Sequence, residues 1–155
     1  MTRLALVSLV IAATGAASAQ GPAALDWAAV DAETLKHFQA IVQLDSTDPP
    51  TTPPGVEKPV VDYLRTVLEQ AGIPTETFAL EPNRPNLVAR LKGSGKKRPL
   101  LLMAHTDTVN IDEKKWTHPP FSALRQDGYI YGRGTVDDKD NVAATVMALL
   151  MLKRQ

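Results

Sequence analysis

Apolar residues recur at helical spacing in three parts of the chain. Leu35, Phe38, Ile41 and Val42 share one face of a helix that Asp31 can cap and that runs to about Leu44. Val60, Val61, Leu64, Val67, Leu68 and Ala71 form the stripe of a second helix, from about Glu57 to Ala71. Gly72, Ile73 and Pro74 supply its stop. Val142, Ala143, Val146, Leu149 and Leu150 define a third, from about Asp138 to Arg154, with Lys153 and Arg154 suited to its negative end. Between the first two, Asp45 to Gly55 holds four prolines and a glycine and must be loop.

Strand patterns fill the middle of the chain. Thr75 to Leu80 is β-prone but short, and Leu87 to Leu91 alternates loosely. Leu100 to Ala104 is apolar on both faces, the pattern of a central buried strand. Asp127-Gly128 marks a tight turn ahead of Tyr129, Ile130 and Tyr131. The basic cluster from Lys92 to Pro99 reads as a solvated hairpin turn, because no helix start follows it to complete an anion cradle. Helices alternating with strands predict an α/β fold, a layered mixed sheet flanked by helices.

Composition narrows the chemistry. The 155 residues carry 17 basic and 17 acidic side chains, so charge gives no case for nucleic acid or an anionic membrane as partner. There is no cysteine, which leaves His, Asp and Glu to hold any metal. The first 19 residues have the form of a secretory signal. Arg3 precedes an apolar run, Leu4 to Ala13, too short to span a bilayer comfortably, and Ala17-Ser18-Ala19 has the small-x-small cleavage form. Residues 20–155 would then be the mature part, secreted or periplasmic, with no stable membrane span after cleavage.

Two stretches can carry chemistry. "LLMAHTDTV", Leu101 to Val109, ends an apolar run on His105 and Asp107. In an extended backbone these two point to one side, so Asp107 can hold one imidazole nitrogen while the other faces a metal. "YGRGTVDDKDNVAA", Tyr131 to Ala144, sets Asp137 and Asp138 between a glycine-rich turn and a helix. Either aspartate can cap that helix, and two adjacent carboxylates also suit a metal site. Lys139 and Asp140 are read as helix-start surface residues. His37 and His118 receive no role. The "GRGTVDD" stretch lacks the third glycine and the strand–turn–helix spacing of a dinucleotide site.

Taken together, "LLMAHTDTV", "WTHPPF" and "DGYIYGRGTVDDKDN" resemble, in order and spacing, the M20 family of metallopeptidases, from about Leu35 onwards. The resemblance implies a zinc-peptidase-like catalytic domain. His105 would be a ligand of one zinc, Asp107 the carboxylate that orients it, and Asp137 the bridge between two zincs, with cobalt or manganese as alternatives. It also implies a cis peptide bond after Asp137. Asp140 departs from the pattern, since many members have glycine there. The family's Glu-Glu pair, late histidine and lid domain, through which homodimers form, have no counterpart in these 155 residues. The expectation is therefore the N-terminal portion of a hydrolase of peptide or N-acyl amino acid amide bonds, inactive by itself. A non-catalytic secreted binding protein or a degenerate relative is the alternative.

Overall fold

The computed structural model describes residues 25–48 and 56–155. The predicted signal segment lies outside the described residues, as do the four prolines of the loop.

Three helices make the core. α1 (Trp27–Gln43) starts earlier than its apolar face suggested. Asp26, not Asp31, caps it, accepting from the N–H groups of Ala28 and Ala29. No breaker separates Asp26 from Asp31, so the helix extends back to the earlier cap. α2 (Lys58–Gln70) carries its proline in the first turn, where no N–H is needed, and ends at Gly72 with φ +70°. α3 (Lys139–Lys153) closes the cluster. Ile41 of α1, Val60, Leu64 and Leu68 of α2, Ile73 beyond it, and Val142, Ala143, Val146, Met147 and Leu150 of α3 form one buried apolar cluster. Each such burial contributes roughly 1.5–3 kcal/mol, so this cluster holds the three helices together.

Polar contacts tie the same helices at one edge. His37 is buried, with Nδ1 2.7 Å from the Tyr63 hydroxyl. Glu33 of α1 accepts two hydrogen bonds from the Arg154 guanidinium, at 2.6 and 2.7 Å. The Arg154 bonds hold Glu33 below its ordinary pKa, against a smaller opposing effect of burial.

The fold is α/β, and its sheets are two small antiparallel pairs. β1 (Thr75–Phe78) pairs with β2 (Asn86–Ala89), Thr75 opposite Ala89. β3 (Leu124–Gln126) pairs with β4 (Tyr129–Tyr131) around Asp127 and Gly128, whose φ values of +51° and +83° fit a type I′ turn. The expected central strand is not buried. Leu100, Leu101, Leu102 and Met103 are 83, 76, 43 and 79 % exposed. Among the described residues, no strand lies along either edge of Leu100 to Ala104, and the segment makes no backbone hydrogen bond. The basic turn at Lys92 to Arg98 is exposed, as predicted, but among the described residues it closes no hairpin, because β2 pairs only with β1. No described helix is long and apolar enough to cross a membrane.

Candidate metal centre

The second aspartate-bearing stretch is a turn pressed onto two other elements. A Cβ on Gly132 would stand 2.5 Å from Val42 Cγ1, and one on Gly134 2.7 Å from Thr108 Cγ2. Gly134 also has φ +83°. Only glycine allows both the approach and the dihedral. Thr108 is in turn braced by the segment that follows α1. Thr108 N–H donates to Ser46 O at 2.9 Å, Asp48 N–H donates to Thr108 O at 2.8 Å, and the Ser46 hydroxyl donates to Thr106 O at 2.6 Å. Ser46 is fully buried. The glycine turn and the brace therefore meet on either side of Thr108, one residue beyond Asp107.

Arg84 ties that brace to α2. Its guanidinium bonds both oxygens of the buried Glu57, at 3.0 and 3.3 Å, and Asp48 at 3.1 Å. The Glu57 bonds, and more weakly the charges of Asp48 and Asp107, raise its pKa further.

This packing brings the two predicted stretches together. His105 Nε2 stands 2.9 Å from Asp137 Oδ1, and His105 Nδ1 stands 3.2 Å from Asp107 Oδ1. Nδ1 is also 3.2 Å from the Asp107 carbonyl. The His105 N–H donates to Asp138 Oδ2 at 3.1 Å. The Asp137–Asp138 peptide bond is cis, as the resemblance implied. His105, Asp107 and Asp137 line one pocket of about 270 Å³ together with Thr108, Gly132 and Gly134. Arg133 forms part of the same wall, its guanidinium 5.1 Å from the Trp116 ring centre.

Electrostatics follow from these neighbours. Burial pulls the His105 pKa down. The Asp137 bond, the charge and carbonyl of Asp107 and the charge of Asp138 together outweigh it and raise the imidazole above its ordinary value. Asp138 is lowered, first by the Asn141 amide and then by the His105 N–H.

The donor set suits a divalent cation as two of its ligands. Two atoms each about 2.0–2.1 Å from a tetrahedral ion stand about 3.3 Å apart, so the observed 2.9 Å between Nε2 and Oδ1 needs only a small opening. Nδ1 is meanwhile engaged by Asp107, the usual partner arrangement for a ligating histidine. Among the described residues no group of three or more His, Asp or Glu side chains could hold a metal. Two donors are what this stretch of chain offers.

Three residues of the arrangement escaped the sequence reading. Asp138 occupies the cap position of α3 but makes no side-chain cap bond. Its carboxylate serves His105 N–H and Asn141 instead. Lys139 is not a surface residue: it is fully buried, its ammonium donating to Leu44 O at 2.8 Å. Burial lowers its pKa to about 8. Its position was a usable signal, because Lys139 falls three, four, seven and eleven residues before Val142, Ala143, Val146 and Leu150, on their face. Ser46 gave no signal, lying in a loop. His118 stacks edge-on against Tyr131, with centroids 4.9 Å apart, and does not line the pocket.

Known proteins carry the same stretches. Residues 101–155 match the family described as Peptidase family M20/M25/M40. The chain is 38 % identical over 123 residues to the N-formyl-4-amino-5-aminomethyl-2-methylpyrimidine deformylase of Halalkalibacterium halodurans, covering 77 % of this chain and 28 % of the deformylase. It is 36 % identical over 130 residues to the succinyl-diaminopimelate desuccinylase of Hydrogenovibrio crunogenus, covering 79 % and 31 %. Human N-fatty-acyl-amino acid synthase/hydrolase PM20D1 is 56 % identical over 55 residues, 36 % of this chain and 11 % of that protein. The chain thus spans less than a third of the length of these curated relatives, which are hydrolases acting on amide bonds. Both aspartate-bearing stretches fall inside the matched segment, and through it the chain belongs to peptidase family M20/M25/M40.

Proposed function

We propose that this chain supplies the first half of a zinc site for hydrolysis of an amide bond in a small peptide or N-acyl amino acid. The observation that carries the reading is His105 with one ring nitrogen on Asp137 and the other on Asp107, at the wall of an open pocket. His105 Nε2 and Asp137 would be ligands, with Asp137 the bridging carboxylate if two ions are held. Asp107 would fix the ring orientation and keep the proton on Nδ1. Asp138, bonded to the His105 N–H, would hold the backbone behind the ligand. Nitrogen and oxygen donors suit zinc, and also cobalt or manganese.

The chemistry a divalent metal supplies when bound is Lewis acidity toward a water and a carbonyl oxygen. The residues described here add no glutamate at the pocket wall to take a proton from that water. Turnover therefore belongs to the longer protein, and the 155 residues alone bind metal weakly without hydrolysing. The names of the relatives favour an acyl group on nitrogen, as in a deformylase or desuccinylase. The signal-like first 19 residues favour a destination outside the cytoplasm.

The test is release of free amine from N-formyl, N-succinyl and N-fatty-acyl amino compounds and dipeptides. Release by the complete gene product should require metal and vanish in His105→Ala. Release that survives both chelation and His105→Ala would contradict the reading. Turnover by the 155-residue chain itself, lost in His105→Ala, would contradict its inactivity.

A further inference from the structure

Lys139 has no solvent-exposed surface, yet its side chain ends in a strongly polar amine. An ammonium buried with one carbonyl partner carries a desolvation cost that a methionine of similar length would avoid. Packing alone therefore does not account for it. The carbonyl it meets, Leu44 O, lies at the C-terminal end of α1, where the helix dipole favours positive charge.

We propose that Lys139 is a positioning residue of the metal centre, its ammonium locking the segment that bears Asp137 to the segment that braces His105. The inference rests on the metal reading above. On one side, Lys139 N–H donates to Gly134 O at 3.1 Å, closing the turn that contains Asp137. The Lys139 stem lies under that turn: a Cβ on Gly134 would be 3.2 Å from Lys139 Cδ. On the other side, Leu44 leads directly into the Ser46–Asp48 segment, which is hydrogen-bonded to Thr106 and Thr108 on either side of Asp107. One Nζ–O bond of 2.8 Å thus joins the two ligand-bearing segments through the end of α1. Removing it leaves the His105 N–H bond to Asp138 and the packing of Gly134 on Thr108 to set the distance from His105 to Asp137, so that distance is less tightly fixed.

The test uses Co²⁺ alone as probe, with the 155-residue chain, Lys139→Met, Lys139→Arg and Asp137→Ala. Lys139→Met keeps the stem and should keep the helical far-ultraviolet spectrum. It should bind Co²⁺ roughly 10–100-fold more weakly, the range for residues that act through a ligand. Its visible cobalt spectrum should differ from that of the unchanged chain, and Lys139→Arg should recover most of the affinity. If Lys139→Met does not fold, the ratio of Lys139→Gln to Lys139→Arg affinities replaces it, with the same expectation. A folded Lys139→Met (or Lys139→Gln) with unchanged affinity and spectrum, beside loss in Asp137→Ala, overturns the positioning role alone. Absence of Co²⁺ binding, or binding untouched by Asp137→Ala, overturns the metal reading and the positioning role with it.

Discussion

Gly134 concentrates the steric demands of the site in one residue. Its φ of +83° and the 2.7 Å that a Cβ would leave to Thr108 both oppose a side chain. Gly134→Ala should destabilise the chain by about 1–3 kcal/mol. Gly93, which has open space around it, should accept alanine within about 0.5 kcal/mol. Urea titration of the two variants checks this, and equal midpoints would contradict it. At this scale the sequence was most informative where a residue type has few uses. Gly132 and Gly134 beside Asp137, and His105 two before Asp107, announced close backbone approach and an imidazole held by a carboxylate. Lys139 was misread as a surface residue, and Asp138, which does stand at the cap position, was read without its partners, because the local rules give each an ordinary place. What overrode those rules is long-range, the Leu44 carbonyl 95 residues away and the His105 N–H 33 residues away.

The helices were legible as elements because their apolar faces pack on one another within the chain. α2 and α3 end within a residue or two of the predicted bounds, whereas α1 extends back to a cap its apolar face did not point to. The strands were less legible. Leu100 to Ala104 has the composition of a strand covered on both faces, but a strand is defined by its neighbours, and none of the described residues pairs with it. One contact between helices is open to titration. Glu33 of α1 is held below its ordinary pKa by Arg154, so its contribution to stability is fully present above the unfolded value, about 4.5, and is lost as pH falls through the lowered folded value. Melting temperatures of the unchanged chain and Glu33→Gln should therefore differ at pH 7 and converge as pH falls below 4. The difference at pH 7 should be small, equivalent to roughly 0.2–1 kcal/mol, because the pair is partly exposed. A gap that persists unchanged at pH 3 would contradict the assignment.

For the molecule as a whole, the run from Leu100 to Met103 stands out among the described residues as exposed apolar surface. Extended apolar backbone with open edges favours pairing between chains. The 155-residue chain should self-associate with rising concentration, and Leu101→Lys with Met103→Lys should raise the monomer fraction in sedimentation velocity. A chain that stays monomeric at all concentrations would contradict this. The same run ends on His105, so the least satisfied backbone leads directly into the proposed ligand, which is held instead by the Ser46–Asp48 brace and by Asp138. The central claim, that His105 and Asp137 share one divalent cation, is tested most directly by calorimetric Zn²⁺ titration of the unchanged chain, His105→Ala and Asp137→Ala. The account predicts weak binding by the unchanged chain that drops at least about tenfold in each variant, as loss of one of two ligands requires. Binding of equal strength in all three would contradict it.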